Sequence, residues 1–377
     1  MPRYLVLTEL FLPTKGGTAV WFAEVYRRLS GKETHIVTAD VPGAAEVDAS
    51  HPNSVHRINM RRVAWLRPES LGMYANLFAQ SLWLALTRRF DAIHAGRALP
   101  EGLTAWLVAR LTFHPVVIYA HGEELTTWGR GGKYKAMRFA LRHADRVIAN
   151  SEFTRDELIK MDVNPARVTL IYPGVDVARF RPGLACDDLR ESVGAGAAGK
   201  LILSVGRLSR RKGFDQVIKS LPALVQAGLD VQYTLIGIGE DQDYLLDLAS
   251  EHGVADRVHL LGHVSAADLP RWYNACDVFA MPNREINGDT EGFGMVFIEA
   301  AACGKPAIAG MAGGTAAAVV HDVTGLRING DDEKDVARAL IDVLMDNALK
   351  DALGKQGYKR ALNDFAWEQV AMRTAGL

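Results

Sequence analysis

Short runs of apolar and β-branched residues alternate with stretches of helical period along most of this chain. In the first half the runs fall at residues 4–8, 35–39, 55–59, 92–95, 116–120, 146–150 and 168–172, with helical patterns such as 19–29, 74–88 and 133–142 between them. Such alternation predicts parallel sheets covered by helices. After Tyr172 the pattern breaks at Pro173-Gly174-Val175-Asp176, Arg181-Pro182-Gly183 and a Gly/Ala stretch over 194–199. Breaker-rich sequence of this kind predicts a hinge. A second alternation follows, with runs at 201–205, 232–236, 258–261, 278–281 and 307–309, and the segment from Asp335 to Leu377 is patterned as helix throughout. No tandem repeat is visible beyond this similarity of the two halves.

A length of 377 residues fits two domains of about 100–200 residues each. Basic and acidic residues nearly balance, 43 against 44, which gives no overall attraction to nucleic acid or anionic lipid. Three cysteines, Cys186, Cys276 and Cys303, lack metal-ligand spacing and point to a reducing, cytoplasmic setting without a disulfide framework. The apolar start is interrupted by Glu9 and has no cleavage site, so it reads as a strand rather than a signal peptide. No apolar run reaches the roughly 18–20 residues of a membrane span.

In open α/β sheets ligands sit beyond the carboxyl ends of the strands, and here those ends carry glycine with polar or charged groups. They are 11–17 and 121–124 in the first half, and 206–213, 237–240, 282–294 and 310–314 in the second. Gly206 allows close backbone approach, Arg207 offers a forked guanidinium and Lys212 a point charge just before a helix start, a set that suits a diphosphate leaving group. Arg210 and Arg211 are expected in solvent, and a plain basic surface turn is the competing reading. Further on, Glu291 and Glu299 stand eight residues apart around Gly292-Phe293-Gly294-Met295-Val296. Glu299 lies among Ile298 and Ala300 to Ala302, where an unpaired carboxylate is costly; the paired hydroxyls of a ribose would satisfy it, as would a salt bridge in a helix-capping loop. Glu291 in its loop suits sugar hydroxyls, and the N–H groups of Phe293, Gly294, Met295 and Val296 suit phosphate.

The order Gly16-Gly17, His121-Gly122, Pro173-Gly174-Val175-Asp176, Gly206-Arg207…Lys212-Gly213 and Glu291…Glu299 resembles family 4 glycosyltransferases, over residues 11 to about 325. The resemblance implies an α/β protein of the GT-B fold, two Rossmann-like parallel-sheet domains facing a central cleft. It implies an acceptor-binding domain over 1–176 plus a returning 357–377, and a nucleotide-sugar-binding domain over 177–356. Arg207 and Lys212 then bind the diphosphate, Glu299 the ribose and Glu291 the donor sugar, while His121, Gly16 and Gly17 line the donor from the other domain. Phe293, Gly294, Met295, Val296 and Val264 complete the donor set, and His121, Arg207, Lys212 and Glu291 form the catalytic set. The implied reaction is retaining, hexosyl transfer without metal or other cofactor. The donor is a nucleoside diphosphate sugar, GDP-mannose from the flavour of 288–310 or else a UDP-sugar, and the acceptor is a glycan, a lipid-linked acceptor or a small molecule. A nucleotide-sugar epimerase and a non-catalytic sugar-nucleotide-binding subunit are the alternatives. The chain departs from the family where Pro-Glu commonly follows the Gly313-Gly314 pair; Ala316-Ala317 stand there, which leaves that loop without its acid.

Asp241-Gln242-Asp243 matches the Asp-x-Asp of metal-dependent transferases, yet acids in a first helical turn interact well with the helix dipole and need no metal. Gly237-x-Gly239 lacks the third glycine of a dinucleotide fingerprint, and the eleven histidines show no ligand spacing. The apolar stretch 71–86 is flanked by Arg61, Arg62, Arg67, Arg88 and Arg89, and Arg130, Lys133, Lys135, Arg138 and Arg142 form a second basic stretch. Basic residues beside apolar ones suit peripheral contact with an anionic bilayer at the inner membrane face.

Overall fold

The computed structural model describes residues 2–60, 69–129 and 131–377. Arg61, Arg62, Arg67 and Arg130, named above as flanking charges, lie outside the described residues.

Two units make up the chain. Met1–Pro173 joins Trp367–Leu377 in one, and Gly174–Ala366 forms the other. The first holds seven strands, β1 (Tyr4–Leu7), β2 (His35–Ala39), β3 (Ser54–Ile58), β4 (Ala92–Ala95), β5 (Val116–Ala120), β6 (Arg146–Ala149) and β7 (Val168–Leu170), in the order β3-β2-β1-β4-β5-β6-β7. Every pairing is parallel. β1 and β5 are buried along their whole length, as continuous apolar strands in a sheet covered on both faces must be. Against them the helix Gly17–Tyr26 packs Trp21, Phe22 and Tyr26. The hydroxyl of Tyr26 meets His94 Nδ1 at 2.6 Å and the Tyr119 hydroxyl at 3.1 Å, which satisfies polar atoms that would be costly to bury alone.

The second unit has six strands, β8 (Lys200–Val205), β9 (Val231–Ile236), β10 (Val258–Gly262), β11 (Val278–Met281), β12 (Ala307–Gly310) and β13 (Gly325–Ile328), in the order β10-β9-β8-β11-β12-β13, again all parallel. β13 was not among the expected strands; Arg327 interrupts its apolar run of four residues. The helix Phe214–Gln226 buries Phe214, Val217, Ile218, Leu221 and Leu224, spaced as one face of a 3.6-residue period. Each such side chain contributes about 1.5–3 kcal/mol on burial.

The expected single helical tail is three helices, Glu333–Met345, Asn347–Asp364 and Trp367–Ala375. Asp346 makes the first break by capping the second helix through Leu349 N at 3.0 Å. The second break lies at Phe365–Ala366, where Val175 N donates to Phe365 O at 2.7 Å. The expected return at 357 is therefore corrected to Trp367. Residues up to 366 stay with the second unit because the helix Asn347–Asp364 lies close on its body. A Cβ at Gly354 would stand 2.3 Å from Gly304 O, and one at Gly357 3.4 Å from the Ala301 side chain. The last helix belongs to the first unit, with Trp367 buried and Glu368 paired to Arg28 at 2.9 Å.

Candidate active site

In the second unit, β8 delivers Gly206 and then a loop that closes in a short 3-10 turn, Arg210–Lys212, before the helix Phe214–Gln226. Gly213 holds this turn against the end of β11. Its φ is 74°, and a Cβ there would lie 2.0 Å from Pro282 O, so no other residue fits. Beside it Arg284 N donates to Arg211 O at 2.8 Å, while the Arg284 guanidinium forms a buried pair with Asp215 at 2.8 Å. Both contacts tie the basic loop to the strand end.

Lys212 and Glu291 form a buried ion pair, with side chains 11% and 14% exposed. Arg211 joins them: its Nη1 donates to the same Glu291 oxygen at 3.0 Å and its Nε lies 3.1 Å from Asp289. The expectation that Arg211 is solvated is thus corrected, because the loop after β11 folds two acids back over it. Burial pushes the Glu291 carboxyl up, but Lys212 and Arg211 outweigh that and hold it below its ordinary value. Two cations and two anions therefore balance in a small polar cluster at a strand end, where an arriving anion can exchange partners with the carboxylates.

Arg207 is exposed and pairs with Glu240 at 3.1 Å. Arg210 is not free in solvent either; it pairs with Asp241 at 3.2 Å and lies over the Tyr244 ring at 3.1 Å. The Asp-x-Asp signal is accounted for by the same contacts. Asp241 precedes the helix Gln242–Glu251 and faces Arg210, and Asp243 sits in its first turn. Gly294, with φ 86°, starts the helix Met295–Ala302 without a side-chain cap, leaving the first amides, at Met295 and Val296, open to an acceptor. Glu299 lies on this helix, partly buried, and accepts from the Tyr273 hydroxyl at 2.7 Å. Burial pushes its carboxyl up to about 7. Its partner within the protein is thus a hydroxyl and not a cation of a salt bridge; Tyr273 comes from the helix Asp268–Ala275, with no local signal to announce it. Phe293 is buried, its ring 5.8 Å from Phe365, and Val264 is half-buried in the loop after β10.

In the first unit, His121 follows β5. Its Nε2 lies 2.8 Å from Gly96 O, which can only accept, so Nε2 carries the proton and Nδ1 is left as an acceptor. Burial and the neighbouring Arg97 lower its pKa against the opposite pull of Glu124, and the ring is neutral near pH 7. Its backbone N–H donates to Glu124 at 2.8 Å, and Trp21 stands edge-on at 5.6 Å. Trp21 belongs to the helix that begins at Gly17 after the exposed Gly16, so the first unit does bring His121 and the Gly16-Gly17 turn to one neighbourhood. After β4 a tight turn, Ala98–Gly102, buries Glu101. Leu99 from this turn, with Leu71, Tyr74, Leu103, Lys133 and Ala136, lines a largely apolar cavity of about 720 Å³.

Two family models match this chain in succession: Glycosyltransferase Family 4 over residues 15–179 and Glycosyl transferases group 1 over 187–360. Among curated proteins, the GDP-mannose-dependent alpha-(1-6)-phosphatidylinositol monomannoside mannosyltransferase of Mycolicibacterium smegmatis is 30% identical, over 99% of this chain and 97% of its own length. The chain is a family 4 glycosyltransferase. The transferase is also 32% identical to the D-inositol 3-phosphate glycosyltransferase of Thermobifida fusca, over 94% of this chain and 86% of that protein. In fold it matches HepE of Anabaena, solved with UDP and glucose, at a TM-score of 0.83 and 22% identity over 100% of this chain and 99% of that one. Sucrose-phosphate synthase of Thermosynechococcus elongatus superposes with a TM-score of 0.82 at 22% identity, over 99% and 98% of the two chains. The transferase is thus an enzyme with the two-domain GT-B fold, as its motifs imply.

Proposed function

We propose that this glycosyltransferase moves mannose from GDP-mannose to a phosphate-bearing inositol or inositol-lipid acceptor, with retention at the anomeric carbon and without a metal. The observation that carries the donor half is the buried cluster Arg211–Lys212–Glu291–Asp289 at the end of β8, flanked by Arg207 and by the open helix start at Gly294. As the sugar–phosphate bond breaks, charge grows on the diphosphate, and preorganised cations and amides are most effective on charge that develops in the transition state. Glu291, released from Lys212 by the incoming phosphates, is free to accept from sugar hydroxyls. Glu299 accepts from the ribose. With no protein nucleophile assigned, the leaving phosphate takes the acceptor proton while attack occurs on the same face. The relatives' names support the mannosyl donor and the inositol phosphate chemistry of the acceptor.

The setting consistent with this reading is the cytoplasmic face of a membrane. Among the described residues no helix is long and apolar enough to cross one. Two neighbouring helices of the first unit, Leu71–Thr87 and Leu103–Thr112 with its C-cap Phe113, however, expose Trp83, Leu86, Leu107, Leu111 and Phe113 at 44–94%, with Arg88 and Arg89 directly after the first. Apolar side chains rimmed by arginine suit the headgroup region of an anionic bilayer.

The test is turnover of the purified protein with GDP-mannose, UDP-glucose and UDP-N-acetylglucosamine, each with inositol 3-phosphate or phosphatidylinositol, in the presence and absence of EDTA. Transfer of mannose that survives EDTA and gives an α-linked product by NMR is expected. Donor conversion in the absence of any acceptor, or activity restored only by a divalent cation, overturns the proposal.

A further inference from the structure

Arg97 follows β4 after the single residue Gly96 and is half-buried at the carboxyl end of the first unit's sheet. Its neighbours are built around it: Gly96 O accepts from His121 Nε2 at 2.8 Å, and Arg97 O accepts from Gly102 N at 2.8 Å, closing the turn that carries Glu101. Its guanidinium nevertheless makes no hydrogen bond and no ion pair among the described residues. Two titratable groups face it. His121 is neutral near pH 7. Glu101 is buried, one oxygen accepts from Glu9 N at 2.8 Å and the other has no partner; burial pushes this carboxyl up to about 7, so it carries only part of a charge at neutral pH. A guanidinium with five donors, held at a ligand-bearing strand end with no full counter-charge, is arranged for a planar or tetrahedral oxyanion supplied from outside.

We propose that Arg97 binds the phosphate of the acceptor, so that it sets the preference for phosphate-bearing acceptors beside His121. This rests on the glycosyltransferase reading of the site and names the residue on its acceptor side. A phosphomonoester on free inositol and the phosphodiester of an inositol lipid share the required chemistry. The apolar cavity that begins at Leu99, two residues on, offers room for the apolar part of the second.

Calorimetric binding to the full-length protein, saturated with GDP, tests this without turnover. The probes are inositol 3-phosphate for the free source, glycerophosphoinositol for the lipid headgroup and unphosphorylated inositol as control. For at least one phosphorylated probe, Arg97→Gln is expected to weaken binding by tenfold or more and Arg97→Lys by less, with GDP affinity and thermal melt unchanged. Whichever probe shows the loss identifies the source. Equal affinities in wild type and Arg97→Gln for both phosphorylated probes, or wild-type binding no tighter than that of inositol, overturn the proposal. Failure of the donor test above, with an Arg97-dependent phosphate site intact, instead overturns the functional reading alone.

Discussion

Glu299 permits a quantitative test of the nucleotide site. Burial pushes its carboxyl from 4.5 up to about 7. If it accepts hydrogen bonds from both ribose hydroxyls, the bound state requires the carboxylate, so the proton must leave on binding. The sign follows directly. Affinity for a nucleoside diphosphate rises with pH until about 7 and then levels, because only below 7 must a proton be removed. At pH 5, two units below, removal costs about 3 kcal/mol, roughly a 100-fold loss relative to pH above 8. At pH 6 about 0.9 proton should be released per nucleotide. The linkage to folding runs the opposite way: a raised carboxyl contributes stability that is complete below pH 4.5 and is lost as pH rises through 7. Calorimetry from pH 5 to 9, in buffers of different ionisation enthalpy, measures both affinity and proton release. The nucleotide's own phosphate titrates in this range, so the difference between wild type and Glu299→Gln is the informative quantity. An amide cannot ionise, and the variant should bind more weakly at pH 8 by roughly 1.5–3 kcal/mol with the Glu299-dependent slope gone. Parallel pH profiles for the two proteins, with no extra proton released by the wild type, would refute the ribose assignment.

Four further outcomes are expected. Arg207→Ala should cut kcat by about 10²–10³ with an unchanged melt, since the exposed Arg207–Glu240 pair contributes little to stability. Lys212→Ala should cut kcat as much but also lower the melt, because it leaves Glu291 buried with Arg211 alone; near-wild-type rates in both variants would remove the diphosphate site. Arg211→Ala, rather than behaving as a solvent control, should raise the donor KM at least several-fold, checked by steady-state kinetics. On the membrane side, the wild type should co-sediment with vesicles containing anionic phosphatidylinositol but not with neutral ones. Leu86→Asp combined with Phe113→Asp should abolish this while leaving activity on a soluble acceptor intact; unchanged co-sedimentation removes that face from the membrane.

Strand–helix alternation, the break at Pro173–Gly174 where one unit gives way to the other and the loops that end each strand were all legible in the chain, because period and turn chemistry are local properties. β4, β5 and β11 occupy the very residues their apolar runs mark. Two short-range effects blurred the rest: Arg327 hid β13, and Asp346 cut the final helical pattern where capping outweighs propensity. For the site, residue types at strand ends pointed to Arg207, Lys212, Glu291, Glu299 and His121. Their partners were not legible. Arg211 looks like one more surface charge until the loop after β11 brings Asp289 and Glu291 over it, and Tyr273 reaches Glu299 from another helix 26 residues away. Arg97 stands in a run with no motif, and only the packing of Glu101 and His121 around it shows a guanidinium left without a counter-charge. The sequence by itself determined which groups stand at the strand ends, since that depends on neighbours in the chain. Which charges are neutralised and which are left for a ligand was decided only by tertiary structure, because ion pairing depends on distances between loops that the chain order does not contain.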